Sequence, residues 1–137
     1  MKGKKYVLDT SALMTFFEDE DDADIVENLL QDAEIGNLNI YVSFISFTEL
    51  YYISIQEQGL ELAQKRIEDL SSMPINRVES NSNLSLIAGE LKAKNRISLA
   101  DAYIAALAKE RKAVLVHKDP EFEALHEQIE VLKLKYK

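Results

Sequence analysis

The chain has 137 residues, 47% of them hydrophobic and 29% charged, with a net charge of −8. That size and balance predict one compact globular domain with a full core, spanning residues 1–137, and the lack of any cysteine excludes a disulfide framework and a thiolate zinc site, which suits a reducing cytoplasm. The acidic charge argues at first against a nucleic-acid partner, but nine of the 24 acids fall between Glu18 and Glu34 with no base among them, leaving 15 acids against 16 bases elsewhere.

In chain order, Tyr6–Leu8 reads as a short buried strand that runs straight into the carboxylate of Asp9 and the hydroxyls of Thr10 and Ser11. It is too short for a secretory signal. The most apolar run, IYVSFISFTELYYISI, is broken by Glu49, so no membrane span is expected. A short helix near Ser11–Phe17 and a longer one near Asp22–Ile35 follow. The stretch EDEDDAD should open the second of these, its acids complementing the positive end of the helix dipole and pointing to water; it lacks the turn glycine and closing glutamate of an EF-hand.

LNIYVS is a second strand, FTELYYISIQEQ a helix ending at Gly59, and LELAQKRIEDLSS a helix with apolar Leu60, Ala63, Ile67 and Leu70 on one side. INRVE is a third strand, SNLSLIAGELKAK and SLADAYIAALAKERK are helices, AVLVH is a fourth strand, DPEFEAL a short helix and IEVLKL a last strand. With only four Gly and two Pro, the connections are short and no linker or repeat interrupts them. Short apolar strands alternating with helices predict a three-layer α/β/α sandwich around a mainly parallel sheet. Ligands of such sheets bind beyond the carboxyl ends of the strands, where Asp9 and Asp119 fall.

Two further acids, Glu49 in SFTELYY and Asp101 in SLADAYIAALA, lie in helical runs that are otherwise apolar or small. Each of the four also fits a helix cap. Asp9 precedes a helix, Asp119 starts a DPE capping signature, and Ser46 with Glu49 and Ser98 with Asp101 have capping-box spacing. Together, however, four carboxylates in apolar surroundings repel one another unless a cation compensates. Mg2+ or Mn2+ suits such an oxygen site and is commonly shared with a substrate phosphate.

YVLDTSAL, the glutamate of SFTELYY, SLADAYIAALA and DPEF stand in the order and rough spacing of the PIN-domain ribonucleases, and nearly the whole chain resembles the small members that are toxins of VapBC toxin–antitoxin pairs. The resemblance implies a PIN-like fold and acidic metal-binding positions at Asp9, Glu49, Asp101 and Asp119. It also implies RNA phosphodiester hydrolysis with one or two Mg2+ or Mn2+ ions, a homodimer formed by apolar positions of the early helices, and an antitoxin partner. One departure is His117, where many relatives have Thr or Ser two residues before the last acid.

The alternatives are an RNA-processing PIN nuclease outside a toxin pair and a catalytically silent PIN-like domain that only binds a partner. A phosphatase of the haloacid-dehalogenase type would need a second Asp where Ser11 stands. His117 and His126 read as strand-end and helix-surface residues, and Glu121 and Glu123 as first-turn acids, with Glu121 an additional candidate ligand. Lys92, Lys94 and Arg96 are candidate phosphate contacts. Phe44, Phe47, Tyr51 and Tyr52 read as core or dimer surface.

Overall fold

The structure, a computed structural model, describes residues 3–136; residues 1, 2 and 137 of the expected domain lie outside the described residues. Five parallel strands form one sheet in the order β3-β2-β1-β4-β5, where β1 is Lys5–Leu8, β2 Asn39–Ser43, β3 Asn76–Val78, β4 Val114–His117 and β5 Val131–Lys133. The sheet is thus wholly parallel. Between β1 and β2 run α1 (Thr10–Phe17) and α2 (Ala23–Glu34), and between β2 and β3 run α3 (Phe44–Gln58) and α4 (Leu60–Ser72). The helices α5 (Ser82–Lys94) and α6 (Leu99–Arg111) connect β3 to β4, and a 3-10 segment, Pro120–Leu125, leads to β5.

Alternation along the strands builds the three layers. Val7 and Leu115 face a core with α5, α6 and the 3-10 segment, while their neighbours Leu8 and Val116 face the opposite core with α1, α2, α3 and α4. Both faces being covered explains the consecutive apolar residues within the central strands, Val7 and Leu8 in β1 and Val114, Leu115 and Val116 in β4. The helix α6 is buried round most of its circumference, with Ala102, Ala105, Ala106 and Ala108 all close to fully covered. Its small side chains let it fit between the sheet and α5.

The chain moves outward from β1 to β2 and β3, then returns across the sheet to β4. This reversal opens a crevice between β1 and β4 at their carboxyl ends. Two elements differ from the sequence reading. Helix α3 begins at Phe44, directly after β2, because Ser43 caps it by accepting from the Ile45 amide at 3.4 Å; the bulky run VSFISF hid that boundary. The acidic stretch opens α2 only with its last residues: Asp22 stands at the N-cap without a side-chain cap bond and Asp24 lies in the first turn, while residues 18–21 precede the helix.

Candidate active site

Asp9 follows β1 and caps α1, and the cap and site readings hold together. Its Oδ1 accepts from the Ala12 amide at 2.8 Å, and the Ser11 hydroxyl donates to both oxygens at 2.7 and 2.8 Å. The carboxyl is almost fully buried. Burial pushes its pKa up to about 7 against those hydrogen bonds, with the charge of Asp119 raising it further.

Glu49 projects from α3 and accepts from the Thr10 hydroxyl at 2.6 Å, while Thr10 Oγ1 lies 3.1 Å from Ser46 Oγ. Ser46 is therefore a buried residue inside α3 and not the start of a capping box, so that cap reading for Glu49 is corrected: Ser43 has taken the cap. Asp119, two residues beyond β4, caps the 3-10 segment by accepting from the Glu121 amide at 2.9 Å.

Asp101 sits in the first turn of α6. Ser98 caps that helix by accepting from the Asp101 amide at 3.1 Å. The reciprocal half of the box is supplied by a different residue, because the amide of Ser98 donates to Glu121 Oε1. Asp101 is thereby released from capping and its carboxyl bonds to Glu121. Burial, that bond and the charges of Asp119, Asp9 and Glu121 together push the Asp101 pKa up to about 9. Glu121 moves the other way, held below its usual value by Asp101 and the Ser98 amide.

All four predicted acids line one open cleft of about 490 Å³, which also receives Glu18, Glu20, Glu57 and Lys118. Among the described residues no three acids or histidines converge closely enough to hold a metal ion between them. The oxygen donors and open geometry suit a hydrated Mg2+, which takes one or two carboxylates and keeps several waters. His117 does not face this cleft as a ligand. It is fully buried, its Nδ1 accepts from the Asp119 amide at 3.1 Å and its Nε2 lies 3.1 Å from His126 Nε2. Burial, and then His126, lower its pKa to about 4.

The acids the sequence reading passed over had a signal. Glu49, Ile53 and Glu57 follow one helix face at four-residue steps, as do Met14 on α1 and Glu18 at its C-cap. The acidic stretch is also corrected, because not all of its acids point to water. Glu18 pairs with Arg66 at 2.6 Å, Glu20 with Lys118 at 3.2 Å, and Asp22 accepts from the Lys135 amide at 2.7 Å.

Residues 6–128 match the PIN domain family. No curated protein matches the sequence significantly. Among solved structures, the chain is similar to VapBC-1 from nontypeable Haemophilus influenzae, at 26% identity and TM-score 0.71, covering 94% of this chain and 97% of that one. It is similar to VapBC2 from Rickettsia felis, bound to a DNA fragment from their promoter, at 20% identity and TM-score 0.77, covering 96% and 99%. It is also similar to VapC20 from Mycobacterium tuberculosis, a sarcin-ricin loop cleaving toxin, at 14% identity and TM-score 0.69, covering 87% and 93%.

Proposed function

Since the chain belongs to the PIN domain family, we propose that it is a divalent-metal-dependent endoribonuclease and the toxin of a toxin–antitoxin pair, with Asp9, Glu49, Asp101 and Asp119 holding Mg2+ or Mn2+. The observation that carries the reading is the convergence of Asp9, Glu49, Asp101 and Asp119 on one cleft: burial first, and then the neighbouring carboxylates, raise the carboxyls of Asp9 and Asp101, and a divalent cation compensates buried, mutually repelling carboxylates as a proton does. A cation held there would activate the attacking water and neutralise charge on the scissile phosphate.

The chain's own residues set the geometry for that chemistry. Asp9 is fixed by Ser11 and the Ala12 amide, Glu49 by Thr10, and Asp119 by the turn it caps. Glu121 holds the amide that Asp101 would otherwise cap, which leaves Asp101 turned toward the cleft. No side-chain nucleophile is required, because water attacks in line.

The likeness to VapBC-1 supports the toxin assignment and an antitoxin protein as partner, and the likeness to a sarcin-ricin loop cleaving toxin supports RNA as substrate. Homodimerisation through the early helices fits the exposed Tyr52, Leu60 and Leu62 on α3 and α4. Among the described residues no helix is long and apolar enough to cross a membrane. The test is incubation of a 5′-labelled RNA with the purified protein in Mg2+. Discrete internal cuts are expected, and intact RNA overturns the reading.

A further inference from the structure

The cleft poses a problem for an RNA substrate. Among the described residues that line it, seven carry carboxylates and one, Lys118, carries an ammonium. Four of those acids have roles in the reading above; Glu18, Glu20 and Glu57 do not. A phosphodiester approaching such a surface meets net repulsion unless specific cations receive it.

Lys118 is placed for that task. It lies between β4 and Asp119 in the chain, and its amide donates to Ser11 Oγ at 2.8 Å, the same hydroxyl that donates to Asp9. Its side chain is only 6% exposed, and its Nζ meets Glu20 Oε1 at 3.2 Å. Glu20 is brought there by the connection between α1 and α2, in which Asp19 and Asp22 both adopt left-handed backbone, φ 50° and 71°. Asp tolerates that conformation better than most residues, so the turn is written into the sequence. The segment is pinned at its far side by Asp22 on the Lys135 amide.

We propose that Lys118 is a substrate-binding residue whose ammonium contacts a phosphate of the RNA beside the Asp9–Asp119 pair, and that Glu20 holds this ammonium in the cleft until the phosphate takes its place. Lysine is suited to such an exchange, being a compact charge with several donors on a flexible stem. A largely buried Lys–Glu pair adds little net stability, because desolvation offsets the attraction. Trading one anionic partner for another is therefore inexpensive. The inference rests on the ribonuclease reading and assigns it a residue that the four acids do not supply.

The test compares Lys118→Gln, Lys118→Arg and Glu20→Gln with the unaltered protein, using a fluorescein-labelled single-stranded RNA. Binding is followed by anisotropy in Ca2+ over a range of salt, and cleavage in Mg2+. Loss of a charge-assisted phosphate contact in Lys118→Gln should weaken binding about tenfold, raise KM more than it lowers kcat, and flatten the salt slope by about 0.7. Lys118→Arg should recover most of the affinity, and Glu20→Gln should bind RNA more tightly. Unaltered affinity and salt slope in Lys118→Gln would overturn the proposal and leave the lysine a structural partner of Glu20. If Lys118→Gln does not fold, Glu20→Gln decides, since equal or weaker RNA binding there contradicts the exchange. RNA bound but never cut by the unaltered protein would defeat the nuclease reading alone, whereas no RNA binding at all would defeat both.

Discussion

The Thr10 hydroxyl donates to the Glu49 carboxylate across 2.6 Å, joining the first residue of α1 to α3 in the lining of the cleft. This single bond fixes the only one of the four acids that comes from the α3 side. Thr10→Val keeps the shape and removes the donor. It should cost about 1 kcal/mol in stability and lower kcat/KM about tenfold or more, as loss of a ligand-orienting partner does. Thr10→Ser should keep most of the activity, and steady-state kinetics on both variants check the bond.

Titration of the cleft should be visible in stability. Asp9 and Asp101 bind protons more tightly when folded, with pKa values raised to about 7 and about 9 from the ordinary 3.8. The stability they contribute is full below about pH 4 and is lost as pH rises through the folded values, because the unfolded chain gives up those protons first. Thermal melts of metal-free protein should therefore fall between about pH 6.5 and pH 9, above the range in which the lowered His117 pKa opposes the trend, and Mg2+ should reverse the fall. A metal-free melting temperature that rises across that window would contradict the burial and repulsion assigned to these two groups.

Asp101→Asn separates the site reading from the cap reading. The cap of α6 uses the Asp101 amide and the Ser98 hydroxyl, so the substitution leaves it intact. Removing a charge that Asp119, Asp9 and Glu121 all oppose should leave the metal-free fold as stable or more so, while cleavage is lost. A variant that melts lower and still cuts RNA would make Asp101 a structural residue.

Much of this was legible in a few residues. Asp9 at the end of an apolar strand and Asp101 in an alanine-rich helix stood out only together with Glu49 and Asp119, because each alone fits a helix cap while four carboxylates in apolar surroundings call for a cation, and the alternation of short apolar runs with helices indicated the parallel sheet. Illegible were features set by contacts distant in sequence. Glu121 caps Ser98 from 23 residues away, and Glu20 meets Lys118 across 98; no periodicity encodes either. The acidic stretch was misread because its composition resembles a solvated helix start, whereas two left-handed aspartates turn it back toward the crevice. Ser46 looked like a cap because Glu49 stands three residues on, whereas Ser43, the true cap, has only Ser46 there.

His117 offers a test of how the last acid is held. Its Nδ1 accepts the Asp119 amide, and its ring packs on Phe122 with centroids 5.1 Å apart. His117→Leu orphans that amide and should cost about 1–3 kcal/mol, with activity falling as Asp119 loses its place. His117→Asn, whose side-chain oxygen can accept from the amide two residues on, should retain more activity than the leucine variant. Equal activity in both would detach His117 from the site.

The central claim is that the carboxylates at the β1–β4 crevice form one divalent-cation site. Its most direct test is equilibrium Mn2+ binding at neutral pH, read by the loss of free-ion EPR signal and by protons released. The account predicts saturable uptake by the unaltered protein, competition by Mg2+, and release of protons from the raised carboxyls of Asp9 and Asp101. Asp9→Asn should bind Mn2+ far more weakly. Saturable Mn2+ binding that is unchanged in Asp9→Asn, or no binding by the unaltered protein, would contradict it.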